Sequence, residues 1–152
     1  MNEAKFAGEM KQSIGKVLGK HSYNKIPDQI YNPRAKFNPE KKYDAYVVYR
    51  GCHTSIEYKF QNTPNAFSFS SVRDIQRISL WEDFENGANA YIILGVRSGN
   101  IRKAIFIDIK TFEQYRKTST RKSIPLNLLA DLPQATWIGK GFWEFSQKLF
   151  MH

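Results

Sequence analysis

The sequence predicts an α/β fold, a mixed β-sheet flanked by helices, built as one domain over residues 1–152. Three observations predict it. Phe6, Met10, Ile14, Val17 and Leu18 recur at helical spacing across Glu3–Leu18, which gives a helix one apolar side. Two β-rich runs, Tyr43–Tyr49 and Thr54–Phe60, flank a short Arg50-Gly51 turn, as in a hairpin. Ala90–Val96 is nearly all apolar, as expected of a central strand covered on both faces.

The other elements follow in order. Residues 19–42 form a long polar connection punctuated by Pro27, Pro33 and Pro39. Loops of this length are often functional, and Lys25, Arg34, Lys36, Lys41 and Lys42 suit an arm that touches phosphates. The same residues read equally as a solvated basic loop. Residues 70–85 predict a second helix, with Val72, Ile75, Ile78, Leu80, Trp81 and Phe84 along one side. Ser70 or Ser71 can cap it, and Gly87 can stop it. A turn at Ser98-Gly99-Asn100, a strand over 103–108 and a short helix over 111–117 come next, giving the order α-β-β-α-β-β-α. A basic, hydroxyl-rich loop holds Lys117, Arg121 and Lys122. Residues 126–152 carry Trp137, Phe142, Trp143, Phe145 and Phe150, expected as a closing helix or a dimer contact.

Composition narrows the function. The chain has 152 residues and is 41% hydrophobic, so a folded core is expected rather than disorder. No apolar stretch is long enough for a membrane span, and the charged, amphipathic N-terminus lacks the apolar centre of a secretory signal. A lone cysteine, Cys52, excludes an intrachain disulfide and fits a cytoplasmic setting, that of a prokaryotic cell or a phage-infected host. The formal net charge is +9. A basic globular domain favours a polyanionic partner, above all nucleic acid. The positive residues are spread over the whole chain, which suits a folded surface lying against a backbone.

Asp44, Glu57 and Lys59 are the residues with the clearest chemistry. Strand residues two apart share a face, so Glu57 and Lys59 point the same way. If the hairpin closes, Asp44 comes near the same edge. Two carboxylates can hold a hard divalent cation. Such a cation activates water and offsets charge on a phosphate, and a nearby lysine orients the water. The plain alternative is a hairpin with surface charges. His53 near the turn reads as a surface histidine, and His21 and Cys52 are too isolated for a metal site. Asp108-Ile-Lys110 repeats part of the pattern without an upstream acid on a hairpin, and reads as a strand end.

These residues resemble the PD-(D/E)xK nuclease core, and within it the RecU-type and archaeal-type Holliday junction resolvases. Asp44 followed by Glu57-x-Lys59 on a hairpin carries the resemblance, with Tyr43 where the family has proline. Phe69-Ser-Ser-Val-Arg-Asp-Ile-Gln76, Ala104-Ile-Phe-Ile-Asp108-Ile-Lys-Thr-Phe112 and Lys122-Ser-Ile-Pro125 are similar to later family segments, so the likeness runs over about 43–125. Phe6-Ala-Gly-Glu9 stands where the family's first helix carries Gly-x-x-Phe-Glu.

The resemblance implies a restriction-endonuclease-like fold and a Mg²⁺-dependent endodeoxyribonuclease, with Mn²⁺ able to substitute. Metal ligands would be Asp44, Glu57 and the main-chain carbonyl of Tyr58, with Glu9 approaching from the first helix. Glu9 also reads as a helix-surface acid in an i,i+4 relation with Lys5. Lys59 would position water, and Gln76 would touch the water or the scissile phosphate, unless it is an exposed helix glutamine. Lys36, Lys41, Lys42, Arg50, Arg73, Arg77, Arg121 and Lys122 are the candidate phosphate contacts. The implied substrate is a four-way DNA junction, nicked in symmetric pairs by a homodimer. A nuclease for linear, nicked or flapped DNA, a non-catalytic DNA-binding protein and an RNA-binding protein are the competing readings.

Overall fold

In the computed structural model, which describes residues 1–28, 32–36 and 40–152, seven strands make one mixed sheet. Pro39 of the expected connection lies outside the described residues. The elements are α1 (Glu3–Leu18), β1 (Ser22–Lys25), β2 (Ala45–Tyr49), β3 (Cys52–Gln61), β4 (Phe67–Ser68), α2 (Asp74–Glu85), β5 (Asn89–Ser98), β6 (Ile101–Asp108), α3 (Ile109–Thr118), β7 (Ser123–Ile124), β8 (Gln134–Gly139) and β9 (Phe142–Glu144). The sheet order is β1-β2-β3-β5-β6-β8-β9, and β4 pairs with β7 apart from it. All the main pairings are antiparallel except β3 with β5. The predicted α/β class, with a mixed sheet between helices, is the class observed.

Each face of the sheet has its own core. Phe6, Met10, Ile14 and Leu18 of α1 pack on Val47, Ile56, Tyr58, Ile93 and Phe106. Leu80 of α2 and Phe112 of α3 pack on Ile92, Leu94, Ile105 and Ile107 from the other side. Strand alternation does the sorting, because Ile92 and Ile93 are neighbours with opposite faces. The β2–β3 hairpin closes through Arg50 and Gly51, both at positive φ (49° and 75°). This is the type I′ geometry that matches strand twist. Asp108 ends β6 by capping α3, since the Thr111 N–H donates to its Oδ1 at 2.9 Å. Its aspartate-x-lysine pattern is therefore structural.

Three sequence expectations change. The 19–42 connection contains β1, an edge strand whose Ser-Tyr-Asn-Lys composition hides it from apolar patterning; Tyr23 pairs with Val47. The second helix begins at Asp74, after a 3₁₀ turn over Phe69–Ser71, so neither Ser70 nor Ser71 caps it. Its buried residues are Gln76, Ser79 and Leu80, whereas Ile78 and Phe84 are 44% and 37% exposed. The C-terminal aromatics form no α-helix. They lie on and beside the β8–β9 hairpin, which turns through Gly139, Lys140 and Gly141, all at positive φ. Trp143 meets Phe6 edge-on at 6.0 Å, and its N–H donates to the Ser13 hydroxyl at 2.9 Å. The hairpin thus holds α1 against the sheet. Among the described residues no helix is long and apolar enough to cross a membrane.

Candidate active site

Strand β3 runs past the start of β2. Their pairing ends with Ala45 opposite Ile56, so among the described residues the β3 edge from Tyr58 onward has no strand partner on that side. Buried backbone donors need acceptors, and acidic side chains supply them. The Tyr58 N–H donates to Asp44 Oδ2 at 2.8 Å, and the Glu3 carboxylate lies beside the Phe60 backbone. A strand residue presents its N–H and C=O to the same side. The Tyr58 carbonyl therefore points to the side where Asp44 sits.

Glu57 is the centre of the cluster. It is 1% exposed on the face toward α2. Its Oε2 lies 3.1 Å from Lys59 Nζ and accepts from Gln76 Nε2 at 3.0 Å. Its Oε1 is buried with no hydrogen-bond partner among the described residues. An orphaned buried carboxylate oxygen is costly. Burial first, and the Asp44 carboxylate second, push Glu57 up to about 7, against the pull of Lys59. Glu3 stands at the rim, also raised, by burial ahead of the opposing Lys59 charge.

That shift carries a testable sign. Between pH 4.5 and 7 the unfolded chain has released the Glu57 proton while the folded chain still holds it. Folding stability from this group therefore falls as pH rises through that window. Glu57→Gln removes the titration. In EDTA, urea unfolding should show the variant gaining about 3 kcal/mol on the wild type between pH 4.5 and 8. Parallel stability curves would contradict the burial of Glu57.

Gln76 reaches the cluster because α2 turns it inward. Its Oε1 accepts from the Arg73 N–H at the helix start, 3.0 Å away, while its Nε2 serves Glu57. Tyr43 OH and Ser55 Oγ both donate to Asp83 Oδ2, at 2.6 and 2.5 Å, tying the β2–β3 hairpin to α2. His53 stacks on Tyr46 and reaches Ser55 Oγ at 3.0 Å. Lys41, named above only as a phosphate contact, lies at the site itself. Its ammonium bridges Asp44 Oδ1 (3.0 Å) and Asp28 Oδ1 (2.9 Å). A cleft of about 490 Å³ opens here, lined by Glu3, Lys11, Tyr23, Lys41, Asp44 and Tyr58 among others.

Asp44, Glu57, Lys59, Gln76 and the Tyr58 main chain are thus brought together. Glu9 is not: it is two turns along α1 and faces the β8–β9 hairpin, where Trp143 Nε1 donates to it at 3.4 Å. Glu3 takes the place expected of Glu9. The pattern held a signal for this, since Glu3, Phe6 and Met10 lie on one helical stripe. Arg50 is at the opposite end of the hairpin, over the Tyr49 ring. Arg77 is engaged by Asp74 and Glu113. Lys36, Lys42, Arg73, Arg121 and Lys122 are exposed. The Lys122 carbonyl accepts from the Phe69 N–H, which holds that loop beside the residues leading into α2.

The donor set fits a hard cation in part. Among the described residues no three His, Cys, Asp or Glu side chains form a ready cage. Two carboxylates, one main-chain carbonyl and water remain, the kind of partial set on which Mg²⁺ is commonly held. The unpartnered Glu57 oxygen and the cationic Lys41 head on Asp44 both mark a place where positive charge is favoured.

No family model matches the chain, and no curated protein does. A solved structure similar to it is that of Hjc, a Holliday junction resolvase from the archaeal hyperthermophile Archaeoglobus fulgidus. The TM-score is 0.48 with 11% identity, over 97% of this chain and 90% of that one.

Proposed function

We propose that this chain is a Mg²⁺-dependent endonuclease that hydrolyses phosphodiester bonds in DNA, acting as a homodimer on four-way junctions. The observation that carries the reading is the buried Glu57 carboxylate, with one oxygen on Lys59 and Gln76 and the other unpartnered. Asp44, Glu57 and the Tyr58 carbonyl would hold the cation, for which Mn²⁺ can substitute. When bound, the cation offsets charge on the scissile phosphate and acidifies the attacking water.

The protein's own groups do the rest. Lys59, its head 3.1 Å from Glu57, offers a fixed ammonium to orient water and counter developing phosphate charge. Gln76 fixes the Glu57 carboxylate in one orientation through its Nε2, so the free oxygen is always presented the same way. Lys41 holds the Asp44 carboxylate in place through an ion pair at 3.0 Å, and can shift to a phosphate when DNA arrives. Excess positive charge over the rest of the surface draws the polyanion in.

Cleavage of end-labelled DNA with Mg²⁺ or with EDTA, by wild type and Asp44→Asn, tests the reading. Nicking that needs both Mg²⁺ and Asp44 is expected. Equal nicking by the variant, or in EDTA, would remove Asp44 and the metal from the reaction. Lys41→Ala gives a second expected result. Because Lys41 competes with a cation for Asp44, the variant should reach half-maximal cleavage at a severalfold lower Mg²⁺ concentration. A requirement for more Mg²⁺ would show Lys41 assisting metal binding instead.

A further inference from the structure

A second groove lies on the other side of α1, and we propose that it holds the backbone phosphates of the DNA strand leaving the cleft. The inference rests on reading that cleft as a DNA-cleaving site. The groove encloses about 600 Å³ between the first turns of α1, the turn end of the β5–β6 hairpin and the β8–β9 turn. Lys5, Arg97, Arg102, Trp137 and Lys140 line it, with Glu9 the one acid among the described residues.

Its charge is unusual for a sheet. Arg97 and Arg102 are direct partners across β5 and β6. They share the α1 face, as Ile93 and Phe106 do on the same strands. Like charges directly opposite each other destabilise a sheet. Among the described residues none of Lys5, Arg97, Arg102 and Lys140 enters an ion pair. Glu9 is occupied by Trp143. The Arg102 guanidinium rests over the Trp137 ring, 4.7 Å from its centre. Stacking holds its planar fork ready for an anion without an acid to neutralise it. A local rule broken without internal compensation points to a function that supplies the missing charge.

The position fits a continuous strand. Lys59 pairs with Leu94 and Gln61 with Val96, so Arg97 lies at the same end of the sheet as the candidate site. The two clefts meet across α1, where Gly8 lines both. Among the described residues nothing stands within 4 Å of where a Gly8 side chain would begin. A backbone can cross that low ridge from Asp44 to Arg97 and Arg102.

The test uses the full chain and a fluorescein-labelled four-way junction, titrated in EDTA at several salt concentrations. Arg97→Ala/Arg102→Ala should weaken binding about tenfold or more and make the log–log salt slope shallower by about 2, one step per lost phosphate contact. Arg97→Lys/Arg102→Lys should retain most of the slope. The alanine variant should melt no lower than wild type, because it removes a repulsive pair. Unchanged affinity, weaker affinity at an unchanged slope, or a wild type that binds no DNA would each overturn the inference. Expected losses in a wild type that never cleaves would leave the groove standing and sink the nuclease reading alone.

Discussion

Lys59→Ala should lower the cleavage rate about a thousandfold or more while DNA affinity changes little. The side chain is 14% exposed and its ammonium sits on Glu57 Oε2, so its contribution is one pre-oriented cation in a poorly hydrated place. Removing a single such group from a transition state typically costs a hundred- to a thousandfold. Here the loss is compounded. Glu57 is already pushed up to about 7 by burial and Asp44, and Lys59 draws it down. Without Lys59 the carboxylate holds its proton to higher pH and is a poorer ligand near neutrality. The residual activity should therefore rise more steeply with pH than that of wild type. Single-turnover rates at several pH values, beside binding in EDTA, check both parts. Activity within tenfold of wild type would remove Lys59 from the chemistry, and parallel loss of binding would point to a damaged fold.

Phe6→Ala carries the largest expected effect on stability, a loss of about 3–5 kcal/mol. Phe6 is fully buried at the point where α1 meets three strands. Its ring lies 6.2 Å from Tyr58, 5.8 Å from Phe60 and 6.0 Å from Trp143. It is seated directly on Gly95, where a side-chain carbon would come within 2.8 Å of the ring. The pair fits only as large against absent, so Gly95→Ala should also destabilise, through overpacking. Phe6 is one turn from Glu3 and fixes how that acid meets Phe60, so cleavage should fall as well. Urea unfolding checks the magnitude. A loss under 1 kcal/mol would mean that α1 is held elsewhere, by the β8–β9 hairpin.

The β2–β3 hairpin was legible because period-two patterning and a two-residue turn are local signals. Asp44, Glu57 and Lys59 needed no knowledge of the rest of the chain. Gln76 was only half legible. Apolar spacing drew the buried side of α2 through Ile78 and Phe84, but the structure turns Gln76 and Ser79 inward. The partner that makes a buried glutamine affordable is Glu57, and that is a tertiary fact. Glu3 was passed over for Glu9 because a family motif pointed to the latter, although Glu3 shares a stripe with Phe6 and Met10. Strand β1 is polar and sits at an edge, so it lacks the alternation that marks half-buried strands. The β8–β9 hairpin was hidden by its aromatics, which suit a helix face equally well. Gly139 and Gly141 were the turn signal that separates the two.

Incubation of a labelled four-way junction beside a linear duplex of the same sequence, with Mg²⁺ or EDTA and with Lys59→Ala as control, is the most direct measurement. Paired symmetric nicks in the junction that vanish with EDTA and with the variant are the predicted result. Tight binding of the junction with no cleavage at any Mg²⁺ or Mn²⁺ concentration would contradict it, and would leave Asp44, Glu57 and Lys59 as the structural polar core of a DNA-binding protein.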